Sequence, residues 1–182
     1  MANRPLTGVL LVGGASSRYG SPKALIEIDG ETLAERGRRV LAEACDEVLV
    51  VGKQGELPFE VTDDGSEVRA PIAGVVAGLR AAAHDVTVVV PVDCPRITPE
   101  VIRLLGDACR DAAVPQTGPL PGAWAKSALP LLESRLAAGG PLALYRTYDE
   151  LDVVAVEVAP GLLIDVDFPE DLAALRSPPA PA

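Results

Sequence analysis

The sequence predicts a three-layer α/β/α sandwich built on a mostly parallel sheet. Short apolar runs alternate with helical patterns along the chain. The first run, residues 9–12, is apolar on both faces, as central strands of parallel sheets are. Alternation of this kind is typical of α/β proteins. In such sheets ligands bind beyond the carboxyl ends of the strands, so the residues that follow each strand are where chemistry is expected.

Six strands and six helices are predicted in order. The strands are residues 9–12, 47–51, 86–90, 112–114, 153–158 and 162–166. The helices are residues 32–45, 71–83, 98–108, 127–138, 142–148 and 169–175. The third helix has the clearest local signals, with Thr98 as N-cap and Pro99 at its first position. Its predicted core stripe has helical spacing: Val101, Leu104, Leu105 and Ala108. In the second helix, Gly74 and Gly78 are expected to permit close packing.

Length and charge limit the classes of function. The 182 residues fit one domain, predicted over residues 1–176, followed by a disordered tail over 177–182. The formal net charge is −10, which argues against non-specific binding to nucleic acid or to a membrane surface. Any bound phosphate must therefore be met by a few placed cations, metal ions or backbone N–H groups.

The three cysteines and the absence of long apolar runs indicate the cellular compartment in which the protein is expected. Cys45, Cys94 and Cys109 are odd in number and widely spaced, which fits neither a disulfide framework nor a C-x-x-C metal site. The sequence shows no signal peptide and no apolar run near the ~20 residues of a membrane helix. We therefore expect a soluble, cytoplasmic protein with reduced thiols.

A loop rich in small residues, 13–20, follows the first predicted strand. It lacks the G-x-G-x-x-G spacing of dinucleotide-binding loops, and two residues separate its last glycine from Lys23 where a Walker loop has none. Its glycines let the backbone approach a flat or anionic ligand, and successive N–H groups can line an anion. Arg18 and Lys23 add two positive charges. The loop predicts phosphate binding, with a tight turn carrying solvated charges as the alternative.

Carboxylates accompany two of the predicted strands. Asp93 follows the strand over 86–90, and one carboxylate together with phosphate oxygens and waters is the usual way to hold Mg²⁺. The alternative is a turn aspartate. Asp165 and Asp167 lie close together near the last strand, so they are candidates for a second metal contact or for contact with a second substrate. The alternative for Asp167 is a helix N-cap paired with Glu170.

Five motifs in the same order resemble those of the MobA-like nucleotidyltransferases. The run L-V-G-G-A-S-S-R-Y-G-S-P-K at 11–23 resembles L-A-G-G-x-S-x-R-M-G-x-x-K. Residues 25–33 look like the L-L-x-x-x-G-x-x-L segment, and residues 70–79 are similar to G-P-L-A-G-I-x-x-G-L. P-V-D-C-P at 91–95 matches P-C-D-x-P, and D-V-D-F-P-E-D-L at 165–172 stands where N-x-N-T-P-E-D-L is usual. The resemblance covers residues 6 to 175.

The resemblance implies a Rossmann-like sheet of the nucleotide-diphospho-sugar transferase type and a set of site residues. Its nucleotide-binding residues are Leu11, Val12, Gly13, Gly14, Lys23, Val51, Asp63 and Asp93. Gly13 and the two residues before it would form the floor for the guanine and ribose. The implied catalytic residues are Lys23, Arg18 and Asp93. The implied cofactor is Mg²⁺ on Asp93, with Asp165 and Asp167 as further candidate ligands.

The implied reaction is transfer of GMP from GTP to the phosphate of molybdopterin, with release of pyrophosphate. The partners would be GTP, molybdopterin and, transiently, proteins that deliver or accept the cofactor. The two adjacent glycines at 13 and 14 favour guanine, whereas Pro22 favours cytosine. The alternatives are therefore a molybdopterin cytidylyltransferase, a sugar-phosphate nucleotidylyltransferase, or a nucleotide-binding module without turnover.

Three further features have simpler interpretations. His84 is predicted to be a solvated group at a helix end rather than a catalytic base. Trp124 is predicted to pack in the core, with contact to the flat pterin as the alternative. Residues 116–121 are expected near the acceptor.

Overall fold

The computed structural model describes residues 4–12, 23–53, 57–67, 70–166 and 171. The strands within these ranges are β1 Leu6–Leu11, β2 Glu27–Ile28, β3 Glu31–Thr32, β4 Glu47–Val51, β5 Val86–Pro91, β6 Ala112–Pro115, β7 Gly122–Ala125 and β8 Val153–Val156. The α-helices are α1 Leu33–Ala44, α2 Pro71–Ala81, α3 Pro99–Ala108 and α4 Leu129–Ala138. Short 3₁₀ helices cover Lys23–Leu25, Lys126–Ala128, Leu144–Glu150 and Pro160–Leu162.

Six strands form the central sheet in the order β4-β1-β5-β7-β6-β8. β1 pairs in parallel with β4 and β5, and β6 pairs in parallel with β8. Only β7 among these six runs antiparallel to its neighbours, β5 and β6. Apolar residues of α1 and α3 pack in one core, whereas those of α2 and α4 pack in a second core on the other face. The predicted three-layer sandwich with a mostly parallel sheet is confirmed.

The central strand β1 is buried along its whole length. Leu6 and Leu10 belong to the core under α1 and α3, whereas Val9 and Leu11 belong to the core under α2 and α4. A Cβ atom on Gly74 of α2 would lie 2.7 Å from Leu11 Cδ2. The absence of a side chain at this position therefore lets α2 sit directly on the sheet, as the sequence predicts.

The two helices α1 and α3, which pack on the same face of the sheet, each begin at a threonine N-cap. In α1, the Thr32 hydroxyl accepts a hydrogen bond from Glu35 N–H, and the Glu35 carboxylate accepts one from Thr32 N–H, which completes a capping box. In α3, Thr98 accepts from Val101 N–H. The predicted cap at Thr98 is confirmed.

The predicted core stripe of α3 is wrong at Leu104, which is 47% exposed. The buried residues of this helix are Val101, Ile102, Leu105 and Gly106. At ~100° per residue, Leu104 lies about 130° around the helix from the centre of that stripe. The sheet and α1 contact the side that carries Ile102, so the apolar pattern alone selected the wrong edge of the stripe.

The predicted strand over 162–166 is also wrong, because the chain forms a 3₁₀ helix at Pro160–Leu162 and then continues without strand pairing. The N–H of Val166 donates to the carbonyl oxygen of Asp93 (2.8 Å) instead of to a neighbouring strand. The predicted strand over 153–158 ends early, at Val156. The predicted helix over 169–175 lies outside the described residues except at Asp171.

A two-stranded hairpin, β2–β3, precedes α1 and was not predicted. Its turn residues Asp29 and Gly30 have φ angles of 54° and 81°. Two positive φ angles are the mark of a type I′ turn, for which Asp-Gly is a preferred pair. The signal was therefore present in the sequence, but each strand of this hairpin is only two residues long.

Two buried threonines near the amino ends of β1 and β5 differ in their hydrogen bonds. Thr7 and Thr87 are register partners, and both are fully buried. The Thr7 hydroxyl donates to Glu47 Oε2 (2.7 Å) and accepts from His84 N–H (3.3 Å). Within the described residues, the Thr87 hydroxyl has no hydrogen-bond partner. An unpaired buried hydroxyl costs about 1–3 kcal/mol, so the two threonines should respond differently to the same substitution.

Thr87→Val is expected to leave the free energy of unfolding unchanged or to raise it by about 1 kcal/mol, because it removes an unpaired polar atom at nearly constant volume. Thr7→Val is expected to lower the free energy of unfolding by about 2 kcal/mol, because the Thr7 hydroxyl donates a hydrogen bond to the Glu47 carboxylate. Urea denaturation followed by circular dichroism measures both values. Equal destabilisation by the two substitutions would contradict the difference in hydrogen bonding between Thr7 and Thr87.

Candidate active site at the carboxyl edge of the sheet

Three adjacent parallel strands end on one line. Leu11 of β1 pairs with Val51 of β4 on one side and with Pro91 of β5 on the other. The ladder continues past the strand ends, since Val12 N–H donates to the Val51 carbonyl (2.9 Å) and Val92 N–H to the Leu11 carbonyl (3.0 Å). This edge is where an open α/β sheet places its ligand, and two of the three residues of the predicted base floor, Leu11 and Val12, lie on it.

Lys23 and Asp93 meet at this edge. The Lys23 Nζ atom lies 3.1 Å from Asp93 Oδ2, and both side chains are mostly but not fully shielded, at 18% and 27% exposure. Lys23 is carried by the 3₁₀ helix that leads toward the β2–β3 hairpin, and Asp93 by the turn after β5. Two residues 70 positions apart are thus brought into an ion pair, and both were predicted from the sequence as site residues.

Asp165 lies next to Asp93, and a thiol holds it there. Cys94 Sγ donates to Asp165 Oδ1 (3.0 Å). Burial, followed by the nearby Asp165 carboxylate, raises the pKa of the Cys94 thiol, so the sulfur remains a protonated donor. One ligand atom from each of Asp93, Cys94 and Asp165 lies within 4.8 Å of the others. Two carboxylates at this separation suit a small cation with oxygen ligands after a modest shift.

Asp63 forms a second charged group beyond β4. Residues 61–63 run beside the end of that strand, where Thr62 bridges to Val51. Lys53 Nζ contacts Asp63 Oδ1 (2.9 Å) and Asp64 Oδ1 (3.0 Å). Hydrogen bonds from Lys53 and from Gly65 N–H lower the pKa of Asp63. Asp63 therefore remains a carboxylate, and at 60% exposure its side chain is accessible to a ligand.

Of the remaining predicted site residues, only Val51 lies within the part of the chain that the structure describes. Val51 is fully buried and its carbonyl already accepts from Val12, so it supports the edge by packing. The others lie outside the described residues: Gly13, Gly14, Arg18 and Asp167.

The two aromatic or imidazole side chains singled out in the sequence lie away from this edge. Trp124 is fully buried in the core under α2 and α4, as predicted. His84 precedes β5 at the opposite, amino end of the parallel strands, where its backbone contacts Thr7. Neither position favours a part in chemistry at the carboxyl edge.

Two residues at the edge were missed by the sequence analysis. Lys53 lies two residues after the end of β4, so the rule that ligands bind after strand ends could have identified it. Cys94 lies inside the P-V-D-C-P motif, but nothing in the sequence indicates that its thiol meets a carboxylate 71 positions away.

The fold and this edge define a class: an α/β protein with a lysine–aspartate pair and a second carboxylate at the edge of the sheet where such proteins bind their ligands. The chain belongs to the MobA-like NTP transferase family, because the model of the MobA-like NTP transferase domain matches residues 8–152. Its relatives are accordingly nucleotidyltransferases by name, and the match spans all the described strands except β8 and the first residues of β1.

Individual relatives cover nearly the whole chain. It is 34% identical to a probable molybdenum cofactor guanylyltransferase of Deinococcus radiodurans, over 94% of each chain. It is 32% identical to a protein of the same name from Pelotomaculum thermopropionicum, over 93% of this chain and 91% of that one. The fold is similar to the crystal structure of molybdopterin-guanine dinucleotide biosynthesis protein A from Archaeoglobus fulgidus, with a TM-score of 0.77, 24% identity, and coverage of 92% and 95%.

No helix among the described residues is both long enough and apolar enough to cross a membrane.

Proposed function

We propose that the protein transfers GMP from GTP to the terminal phosphate of molybdopterin and releases pyrophosphate. The observation that carries this proposal is the Lys23–Asp93 pair at the carboxyl edge of β1 and β5. The names of relatives at 32% and 34% identity support guanine and molybdopterin as the substrates. The three unpaired cysteines support a reducing compartment, so we place the reaction in the cytoplasm.

In the proposed reaction an acceptor phosphate oxygen attacks the α-phosphorus of GTP. The bond from that phosphorus to the bridging oxygen breaks, and the electron pair leaves with pyrophosphate. The nucleophile is already anionic, so no general base is needed, and the barrier arises from charge repulsion and positioning. Leu11, Val12 and Gly13 would support the base and ribose, and Gly14 would contact the phosphates. Lys23 and Arg18 would bind the triphosphate and the charge that develops on pyrophosphate.

Asp93 and Asp165 fit a divalent cation, because their carboxylate oxygens lie within 4.8 Å of each other at the carboxyl edge of the sheet. We propose Mg²⁺, which is usually held by one or two carboxylates together with substrate phosphates. When bound, it would neutralise charge on the α-phosphate. Lys23, whose Nζ atom lies 3.1 Å from Asp93 Oδ2, would bind the phosphates beside the cation that Asp93 and Asp165 would hold. Asp167 remains a further candidate ligand.

Pyrophosphate release with each of the four NTPs, with and without molybdopterin, tests the proposed function. We expect release with GTP and Mg²⁺ only when molybdopterin is present. A preference for CTP would instead support the cytidylyltransferase alternative, which Pro22 before Lys23 favours. Release that requires a sugar phosphate, or binding of GTP without release under any condition, would contradict the proposal.

A further inference from the structure

Hydrogen bonds hold the segment from Val158 to Val166 to the residues that follow β5 and β6. The Gln116 carboxamide donates to the Val158 carbonyl (2.5 Å) and accepts from Val158 N–H (3.0 Å). At the other end, Val166 N–H donates to the Asp93 carbonyl (2.8 Å). The third contact is the hydrogen bond from Cys94 Sγ to Asp165 Oδ1. The first two contacts involve only the backbone of the segment, whereas the third acts on the Asp165 side chain.

The Cys94 thiol is well suited to hold a carboxylate in one orientation. Cys94 is 3% exposed and packs in the core that contains residues of α1 and α3, so its sulfur is fixed. Asp165 itself is an exposed residue. The exposed carboxylate therefore rests on a buried, rigid donor that belongs to the same turn as Asp93. Partners that orient a metal-binding carboxylate in this way commonly change metal affinity when they are removed.

We propose, building on the function proposed above, that Cys94 is a positioning residue that acts through Asp165. It holds the second carboxylate of the site at the distance from Asp93 that a divalent cation requires. Cys94 touches no substrate in this role, and its sulfur is not a ligand. The competing interpretation is that Cys94 is a small apolar side chain that only fills space. The two interpretations differ in whether a hydroxyl can replace the thiol.

Binding of Mn²⁺ to the protein without nucleotide, measured by electron paramagnetic resonance, tests the proposal directly. Cys94→Ala removes the donor, and we expect Mn²⁺ affinity to fall about tenfold. Cys94→Ser keeps a donor at nearly the same place, and its affinity should stay close to that of the wild type. Cys109→Ala is the matched control, because Cys109 is also buried but lies at the end of α3. Its affinity should not change.

A double-mutant cycle with Asp165→Ala separates action through Asp165 from a general effect. If Cys94 acts through this carboxylate, Cys94→Ala has no further effect on Mn²⁺ affinity once Asp165 is alanine. In turnover assays, the KM for Mg²⁺ should rise in Cys94→Ala by the same factor as the Mn²⁺ dissociation constant, with kcat at saturating Mg²⁺ nearly unchanged.

Unchanged Mn²⁺ affinity in Cys94→Ala would overturn the proposal. Equal losses in Cys94→Ala and Cys94→Ser would also overturn it, since size rather than hydrogen bonding would then matter. Failure of the proposed function looks different, because the wild-type protein would then release no pyrophosphate from GTP and molybdopterin, whatever Mn²⁺ affinity Cys94→Ala shows. Melting temperatures of all variants identify any loss that comes from unfolding.

Discussion

Asp93→Ala is expected to lower kcat for nucleotidyl transfer by about a thousandfold or more. Asp93 lies at the carboxyl edge of the sheet beside Lys23 and Asp165, where the α-phosphate of the nucleotide is proposed to lie. Removal of this carboxylate takes away the main proposed ligand of the divalent cation, whose stabilisation of charge is worth several kcal/mol. Single-turnover measurements at saturating GTP, Mg²⁺ and molybdopterin report the chemical step.

Asp107→Ala is a suitable control for this experiment. Asp107 is an exposed carboxylate on α3, and the variant loses the same group without altering the edge. We expect its kcat to equal that of the wild type. Retention of a tenth or more of wild-type kcat by Asp93→Ala would contradict a role for Asp93 in the chemical step.

Lys23→Ala is expected to lower kcat/KM for GTP by about a hundredfold, through both a higher KM and a lower kcat. The ammonium lies 3.1 Å from Asp93 Oδ2 and is proposed to bind the triphosphate. A ground-state contact raises KM when it is lost, whereas a contact to the departing pyrophosphate lowers kcat. Lys23→Arg keeps the charge and should recover part of the loss. Steady-state kinetics across GTP concentrations separate the two effects.

Lys126→Ala provides the comparison for Lys23→Ala. Lys126 follows β7 at the amino end of the parallel strands, where its N–H donates to the Asp85 carbonyl (2.8 Å). Loss of this lysine removes the same charge from the opposite edge and should leave kcat/KM unchanged. If both lysine variants lost activity equally, the effect would come from net charge rather than from a contact at the site.

Much of the sheet could be predicted because its strands are apolar on both faces. The predicted strand over 47–51 matches β4, and the one over 86–90 lacks only Pro91 of β5. Lys23 and Asp93 could be assigned to one edge because parallel strands direct their carboxyl ends the same way. This rule requires only the order of strands and helices along the chain. The two residues could therefore be assigned to one edge of the sheet without any knowledge of distances.

The errors arose where tertiary contacts outweigh local patterns. Residues 162–166 are apolar enough for a strand, but the Val166 N–H donates to the Asp93 carbonyl, and none of the described strands pairs with this segment. β8 ends at Val156 because the Gln116 side chain takes the place of the next backbone partner at Val158. Leu104 follows the helical spacing, yet the position of α3 against the sheet exposes it. Side-chain contacts of this kind have no period along the sequence.

The fate of the α-phosphorus tests the proposed transfer most directly. GTP labelled with radioactive phosphorus at the α position, incubated with protein, Mg²⁺ and molybdopterin, should transfer its label to the pterin product. GTP labelled at the γ position should transfer none and should deliver all its label to pyrophosphate. Asp93→Ala should do neither. Appearance of the γ label on the pterin, or of the α label only in free GMP, would contradict attack of the acceptor phosphate on the α-phosphorus.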